Sequence, residues 1–194
     1  MDRKDLITGR AQPGDREPAP GDLRLVQDFV NTVDRENVVE LFDAPAGLRE
    51  WLAHRDLPGA TGELADADLE RALRVREALR ALLLDDEDAG ARAALEAAAV
   101  RTRLQPGFDP LAPALSPAAT GLDAALGRIL AVVFASMVDG RWARLKACPR
   151  EVCGWAFYDR SSNASATWCS MRVCGGRVKA GAYYRRRRAA GAGA

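Results

Sequence analysis

Residues 148–179 read CPREVCGWAFYDRSSNASATWCSMRVCGGRVK, and this stretch decides the fold of the C-terminal part of the chain. It contains all four cysteines of the protein, in the spacing C-x4-C-x15-C-x4-C. Two close pairs separated by a linker are typical of metal sites, because one tight turn presents two thiolates to the same ion. The candidate metal ligands are therefore Cys148, Cys153, Cys169 and Cys174.

Four cysteines can also serve as disulfides, as a redox site or as ligands of an iron–sulfur cluster. The N-terminus is charged and has no apolar segment of the secretory type, so we expect a cytoplasmic protein with reduced thiols. The C-x4-C spacing differs from the C-x-x-C of thiol oxidoreductases. An iron–sulfur cluster stays open as an alternative, since four thiolates suit it too. The favoured interpretation is structural zinc, whose four protein ligands leave no open position for catalysis.

The linker between the two cysteine pairs predicts a β-hairpin. Its segment WAFYD alternates like a strand, and RSSNAS has the composition of a turn. The residues after Cys169 predict a helix with Ser170 as N-cap, and the N-terminus of that helix would offset the negative charge of a zinc–tetrathiolate centre. A knuckle, a hairpin and a helix in this order predict a small treble-clef-like zinc finger over residues 141–188.

The preceding part of the chain predicts helices. Apolar residues recur at helical spacing in five segments, at 23–33, 43–55, 66–85, 89–104 and 121–138, where Asp43 is a candidate N-cap of the second. Residues 105–119 contain four prolines and predict a loop or a short hairpin. The fold class is therefore mainly α, with an all-α domain over 22–140 followed by the finger. The Pro- and Gly-rich residues 1–21 and the residues 189–194 predict disordered tails.

Charge is distributed unevenly along the chain. Residues 139–194 carry 12 basic and 3 acidic residues, whereas residues 1–138 carry 16 basic and 24 acidic ones. An acidic body joined to a basic C-terminal segment predicts two modules, of which only the second would attract a polyanion such as DNA. The longest apolar run has 10 residues, which is too short to cross a bilayer, so no membrane contact is expected.

The cysteine segment resembles the CGNR zinc finger found at the C-terminus of bacterial transcription regulators. The family pattern reads roughly C-x4-C-x-W-x-F-x-D-x-S-x-N-x-S-R-R-W-C-S-M-x-x-C-G-N-R-x-K. The matching positions are Cys148, Cys153, Phe157, Asp159, Ser161, Asn163, Ser165, Trp168, Cys169, Ser170, Met171, Cys174, Gly175, Arg177 and Lys179. Further upstream, LVQDFVNTV at 25–33 is similar to the opening of the helical domain called ABATE, which precedes this finger in the family.

The resemblance implies zinc as cofactor, DNA as partner and transcription regulation as function. Two departures from the pattern weaken the implication that DNA is the partner. Gly176 stands where the family has Asn, and Ala166 and Thr167 stand where it has two arginines. Both changes remove groups that suit phosphate or base contacts, while the four metal ligands are present.

The helix after Cys169 supplies the candidate DNA-binding residues. Helical spacing places several basic side chains on one face of it, and four arginines follow. The alternative is a basic face that only contacts water. The candidate residues are Arg172, Arg177, Lys179, Arg185, Arg186, Arg187 and Arg188.

Two polar residues, Asn31 and Arg76, lie on otherwise apolar helix faces. They predict either hydrogen bonds between helices or a pocket for a small-molecule ligand. No set of residues suggests catalysis, so the protein is not expected to be an enzyme. We therefore expect a zinc-binding transcription regulator whose helical domain senses a ligand or binds a second copy or another protein. The alternative is a protein-interaction adaptor whose finger is structural and no longer binds nucleic acid.

Overall fold

A computed structural model describes residues 2–10, 12–14, 16–111 and 113–191, without the side chains of residues 182 and 185–191. The described part is mainly α, which confirms the predicted class. Its helices are α1 Arg3–Thr8, α2 Leu23–Val30, α3 Pro45–Ala53, α4 Asp66–Leu84, α5 Ala89–Thr102, α6 Gly121–Val138 and α7 Gly176–Gly191. Its strands are β1 Val33–Asp34, β2 Val39–Glu40, β3 Leu104–Gly107, β4 Ala114–Pro117, β5 Leu145–Ala147 and β6 Ala156–Tyr158, and they form three antiparallel pairs in chain order.

The body of the protein is built around α6. Its sequence is apolar on almost every side, and helices α2, α4 and α5 pack around it, which buries Leu126, Ile129 and Val133 among others. By length and composition alone α6 could cross a membrane, but half of it is buried inside the protein. Its packing is therefore that of a core helix.

Helix α3 docks on α2 through aromatic side chains. The ring centroids of Phe29, Phe42 and Trp51 lie 5.4 to 5.9 Å apart in tilted and edge-to-face arrangements. Helix α3 begins at Pro45 with Ala44 as its cap, so the prediction that Asp43 is the N-cap is wrong. The Asp43 carboxylate instead accepts a hydrogen bond from Arg3, at 3.2 Å.

The described residues between 2 and 21 pack on the body, whereas the composition of residues 1–21 predicted a mobile tail. Helix α1 has a capping box between Asp2 and Asp5, and Leu6 is buried in the core. Gly9 then turns the chain with φ +63°, and a Cβ at this position would clash with the Asp28 carboxylate. The tail prediction is wrong because the body offers a groove that a few apolar residues can fill. At the other end, residues 189–191 still belong to α7, and residues 192–194 lie outside the described residues.

The hairpin of the finger differs from the predicted one. The WAFYD segment does form a strand, β6. Its antiparallel partner is β5, which precedes the first cysteine, and Lys146 lies opposite Phe157. The hairpin therefore encloses the first cysteine pair instead of lying between the two pairs. The main chain explains this choice, since the Cys148 amide donates to the Trp155 carbonyl at 2.9 Å and continues the ladder into the turn.

The finger packs directly on the body through side chains that bind its main chain. The Asn31 carboxamide accepts from the Ala156 amide at 2.7 Å and donates to the Ala156 carbonyl at 2.8 Å. Gln27 donates to the same carbonyl at 3.1 Å, and Arg80 donates to the Gly154 carbonyl at 3.2 Å. One continuous hydrophobic core runs from α2 and α6 into the cysteines and strands of the finger. The two predicted modules are thus parts of one packed unit.

Asn31 and Arg76 do not bind each other. Arg76 is buried and donates to both oxygens of Glu40 at 2.7 and 2.8 Å and to the Thr32 hydroxyl at 3.1 Å, so it ties α4 to β2. The cavity beside Asn31 measures only about 10 Å³. Both side chains are therefore engaged by the protein itself, and their role as ligand-binding residues stays a prediction.

We expect Asn31→Ala to lower the free energy of unfolding by about 2–3 kcal/mol, because it leaves the buried amide of Ala156 without a partner and removes one of the two donors to its carbonyl. The loss is measured by denaturant unfolding followed by circular dichroism. Asn163→Ala is the control, since Asn163 is exposed and is expected to change stability by less than about 1 kcal/mol. Equal stability of both variants would contradict the role of Asn31 in holding the finger on the body.

Candidate metal centre

The four cysteines converge from two separate turns. Cys148 and Cys153 flank the turn between β5 and β6, while Cys169 and Cys174 flank the start of the last helix. All four Sγ atoms lie within 4.8 Å of one another, and three of the four residues are almost fully buried. The sulfur of Cys169 lies 3.6 Å from that of Cys153 and 3.5 Å from that of Cys174.

These distances fit a tetrahedral ion and exclude a disulfide in this structure. A zinc–sulfur bond of about 2.3 Å places two ligands of a tetrahedral site about 3.8 Å apart. A disulfide needs about 2.05 Å between the sulfurs. All four cysteines are free thiols, as the metal interpretation requires. The donor set is all sulfur and its four positions are filled, so the arrangement suits a structural metal.

The thiols shift one another's pKa in opposite directions. Hydrogen bonds from Cys153 and Cys169 lower the pKa of Cys148 to about 2. The hydrogen bond to Cys148 raises the pKa of Cys153 to about 12, and contacts with Cys148 and Cys153 raise the pKa of Cys169 as well. Four thiolates this close repel one another, and a divalent cation that displaces the remaining protons removes that repulsion.

The loop after β6 is organised by one buried carboxylate. Asp159 accepts hydrogen bonds from the Ser161 hydroxyl at 2.6 Å, from the Ala166 amide at 2.8 Å and from the Lys146 ammonium at 2.9 Å. Burial raises the pKa of Asp159, but the bonds from Ser161 and Lys146 outweigh it and hold the pKa well below its usual range. The loop is thereby folded back over β5, and it delivers Cys169 to the site.

The second cysteine pair lies at a helix start. Ser170 is the N-cap, as predicted, and its hydroxyl accepts from the Val173 amide at 3.2 Å. The first turn, Met171–Gly175, is π-helical and then continues as α7. A Cβ on Gly175 would lie 2.4 Å from the Met171 sulfur and 3.0 Å from the Trp168 ring, so a larger residue here would displace the Met171 side chain.

Two arginines close in sequence to the cysteines share one carboxylate of the body. Arg150 donates to the Cys174 sulfur at 3.5 Å and forms a bidentate pair with Glu36 at 3.0 and 3.1 Å. Arg177 also pairs with Glu36, so one carboxylate of the body links the knuckle to α7. The sequence reasoning did not identify Glu36 or Arg150, because neither belongs to a helical stripe or a cysteine pair.

An N-terminal strap, defined as residues 12–14 and 16–19, crosses the finger. Its Arg16 donates to the main-chain carbonyls of Cys169 and of Trp168, the latter at 2.9 Å. The same guanidinium lies 4.6 Å above the Phe157 ring. Arg16 therefore positions a metal ligand, although it lies in the segment whose composition predicted disorder. No sequence signal within the strap marks it.

The candidate DNA-binding residues fall into three groups. Arg172 and Lys179 are exposed on the last helix. Arg177 is exposed as well but is engaged by Glu36. Residues 185–188 continue the helix, while the side chains of Arg185, Arg186, Arg187 and Arg188 lie outside the described residues.

Two family models match the chain. The model described as "CGNR zinc finger" matches residues 144–187, which include the four cysteines. The model ABATE, described as "Putative stress-induced transcription regulator", matches residues 23–140, more than half of the chain. The chain belongs to the ABATE family. A search of curated proteins returned no match.

The ABATE match and the CGNR match follow each other in the order that the sequence suggested. Both leave out residues 1–22, so the strap and its Arg16 lie outside the matched ranges. The buried contacts of Asn31 and Gln27 with Ala156 therefore join the ABATE domain to the CGNR finger, whereas Arg16 contacts the finger from outside both matched ranges.

We expect the purified protein to contain one zinc ion per chain and Cys169→Ser to lose it. Structural zinc contributes on the order of 10–16 kcal/mol in small finger peptides. Because the cysteines lie in the core shared with the ABATE domain, the variant should lower the melting temperature of the whole chain in a single transition. Elemental analysis and thermal unfolding measure both effects, and Val152→Ala, at an exposed position of the same turn, is the control. Absence of zinc, or a charge-transfer band from iron, would contradict this assignment.

Arg16→Ala is expected to release zinc to a colorimetric chelator about tenfold faster or more, since partners of a ligand typically change metal affinity by that amount. The control is Arg10→Ala, which removes an exposed arginine of the same segment. Both variants should retain the helical circular dichroism of the parent. Identical release rates for the two variants would show that the strap does not support the site.

Proposed function

We propose that the protein is a zinc-dependent transcription regulator that contacts DNA through the last helix of its finger. The observation that carries the proposal is the exposed basic start of α7 beside a buried tetrathiolate centre. Arg172 and Lys179 point to solvent there, and four more arginines follow in the same helix. Membership of a family described as transcription regulators supports the same role. Such a protein works in the cytoplasm, where its thiols stay reduced.

In this proposal the finger is treble-clef-like. The first cysteine pair lies in the turn of the β5–β6 hairpin, and the second pair lies at the start of the last helix. The ion would hold the hairpin against the helix and fix the direction in which α7 leaves the body. The helix has three glycines, Gly175, Gly176 and Gly181, each of which weakens it by about 1 kcal/mol relative to Ala. Anchoring by zinc at its first turn offsets this weakness.

Phosphate contact by α7 would be divided among its basic residues. Arg172 and Lys179 would supply charge, whereas Arg177 would first have to leave Glu36. We therefore assign Arg177 to the finger's contact with the body and assign the uniform phosphate contacts to the other two residues and to the four terminal arginines. No catalytic role is proposed for any residue.

A second candidate function is a protein-interaction adaptor. The observation in its favour is that Ala166, Thr167 and Gly176 lack the polar groups of the family pattern. Exposed apolar and aromatic side chains on the same helix, Val178 and Tyr184, would then contribute to a protein interface. In either role, we also propose that the helical body binds a small-molecule ligand or a second copy of this chain.

DNA binding is tested by anisotropy titrations of genomic fragments at several salt concentrations. Each phosphate contact changes the slope of log affinity against log salt by about −0.9, so four to five contacts give a slope of about −4. Lys179→Ala should weaken all fragments alike and flatten the slope by about one, because a lysine here supplies charge and not base reading. Arg74→Ala, an exposed arginine of α4, is the control that should leave the slope unchanged.

Absence of binding to any fragment at low salt by the zinc-loaded protein would overturn the regulator proposal and leave the adaptor. If Lys179→Ala leaves the slope of log affinity against log salt unchanged, the DNA binds to another surface of the protein. The variant Gly176→Asn, Ala166→Arg, Thr167→Arg restores the family pattern, and it should raise affinity at least tenfold, about 1.4 kcal/mol.

A further inference from the structure

A cavity of about 590 Å³ lies beside α6, at some distance from the metal centre. It opens between α4, α5 and α6, and the β3–β4 hairpin closes one side. Its walls are largely apolar, and its volume falls in the range of about 300–1,000 Å³ that small-molecule sites occupy. The wall residues include Leu95, Leu130, Val133, Phe134, Met137 and Trp142.

Part of this wall is open to water. Phe134 is 54% exposed and Met137 is 43% exposed, although both belong to the central helix of the body. Apolar side chains of a core helix that stay exposed beside a cavity provide a surface that an apolar ligand would cover. Trp142, which also lines the cavity, adds an aromatic surface from the short 3-10 helix Arg141–Arg144.

The charged side chains that line the cavity are two carboxylates and one guanidinium. Asp86 and Glu96 are exposed. Arg92 keeps its positive charge, since it donates only to the neutral main-chain carbonyl of Glu87 at 2.8 Å, so the lining carries a net charge of −1. The surrounding body, residues 1–138, carries 24 acidic and 16 basic residues, so its field favours a positive ligand. Aromatic rings at the opening add attraction for a cation that loses part of its water.

We propose that this cavity is a binding site for a hydrophobic cation, a molecule with an apolar aromatic body and one positive charge. The apolar walls take the body of the ligand, and Asp86 and Glu96 hold the charge at the mouth. The site differs from the earlier candidates, since neither Asn31 nor Arg76 lines it. It does not depend on the DNA proposal.

Trp142 connects this site to the finger. It lies in the 3-10 helix that joins α6 to β5, and β5 ends at Ala147 immediately before the first metal ligand. A ligand that contacts Trp142 therefore contacts the segment that leads into the metal centre. Its binding is expected to change the fluorescence of Trp142.

The test uses two ions of matched size and opposite charge, tetraphenylphosphonium and tetraphenylborate, titrated into the zinc-loaded full chain. Equilibrium dialysis and tryptophan fluorescence measure binding. We expect the phosphonium to bind at least tenfold more tightly than the borate. Asp86→Asn combined with Glu96→Gln should weaken phosphonium binding several-fold and reduce the preference between the two ions.

Ala99→Phe places a ring in the cavity from α5 and should weaken phosphonium binding at least tenfold. Ala93→Phe puts the same ring at an exposed position of the same helix and should leave binding unchanged. Should Ala99→Phe fail to fold, Phe134→Ala with Met137→Ala at half-exposed positions should produce the same loss. Equal or tighter binding of the borate, binding unaffected by the cavity variants, or a dimer that excludes both ions would overturn the proposal.

Discussion

The carboxamide of Asn31 and the peptide groups of Ala156 exchange two hydrogen bonds, and the position of the finger on the body depends on that exchange. A two-stranded sheet leaves the outer edge of each strand without a partner. Here the body covers the outer edge of β6 with side chains, so that Asn31 pairs with it as a neighbouring strand would. Gln27 donates a second hydrogen bond to the Ala156 carbonyl, and Arg80 donates to the carbonyl of Gly154 just before the strand. The turn that carries the first cysteine pair is thereby fixed relative to α2 and α4, and the metal centre inherits its orientation from the helical body.

The electrostatics of the metal centre draw on the whole chain. A zinc–tetrathiolate carries two negative charges, and burial makes them costly unless cations and amides lie nearby. Arg150 comes from the knuckle, Arg16 from the N-terminal strap, and the amide ends of the π-helical turn come from the start of the last helix. Glu36 then neutralises the excess positive charge of Arg150 and Arg177. The cysteine motif supplies the candidate ligands, while residues up to 153 positions away supply the surroundings in which the ligands would hold a metal.

Local patterns in the sequence predicted the long helices and the four ligands, because apolar periodicity and cysteine spacing are properties of short segments. Helix α6 spans the predicted residues, and Ser170 caps the helix that follows the second cysteine pair. Partner choice was not predictable in this way. The alternation in WAFYD indicates a strand but does not say that β5 is its partner. Arg80 is a charged residue of α4, and its burial is explained by distant partners, the carbonyls of Val30 and Gly154, together with Glu77. The N-terminal segment was predicted disordered because it is charged and rich in Pro and Gly, while in the structure Leu6 and Ala19 are buried and Arg16 binds the finger, on a surface that the rest of the chain provides.

The contact between Arg16 and Cys169 closes a loop of 153 residues, which makes the order of synthesis relevant to how the protein matures. Arg16 leaves the ribosome long before its partner, which follows 153 residues later. Until Cys169 has been made the strap has no carbonyl to bind, and the first cysteine pair is half of a metal site. Non-local contacts of this kind form late, since the entropy of closing the loop must be overcome first. Metal capture therefore has to wait until the chain has been made through Cys174, and a chain truncated between the two cysteine pairs would lack both the second pair and the partner of Arg16.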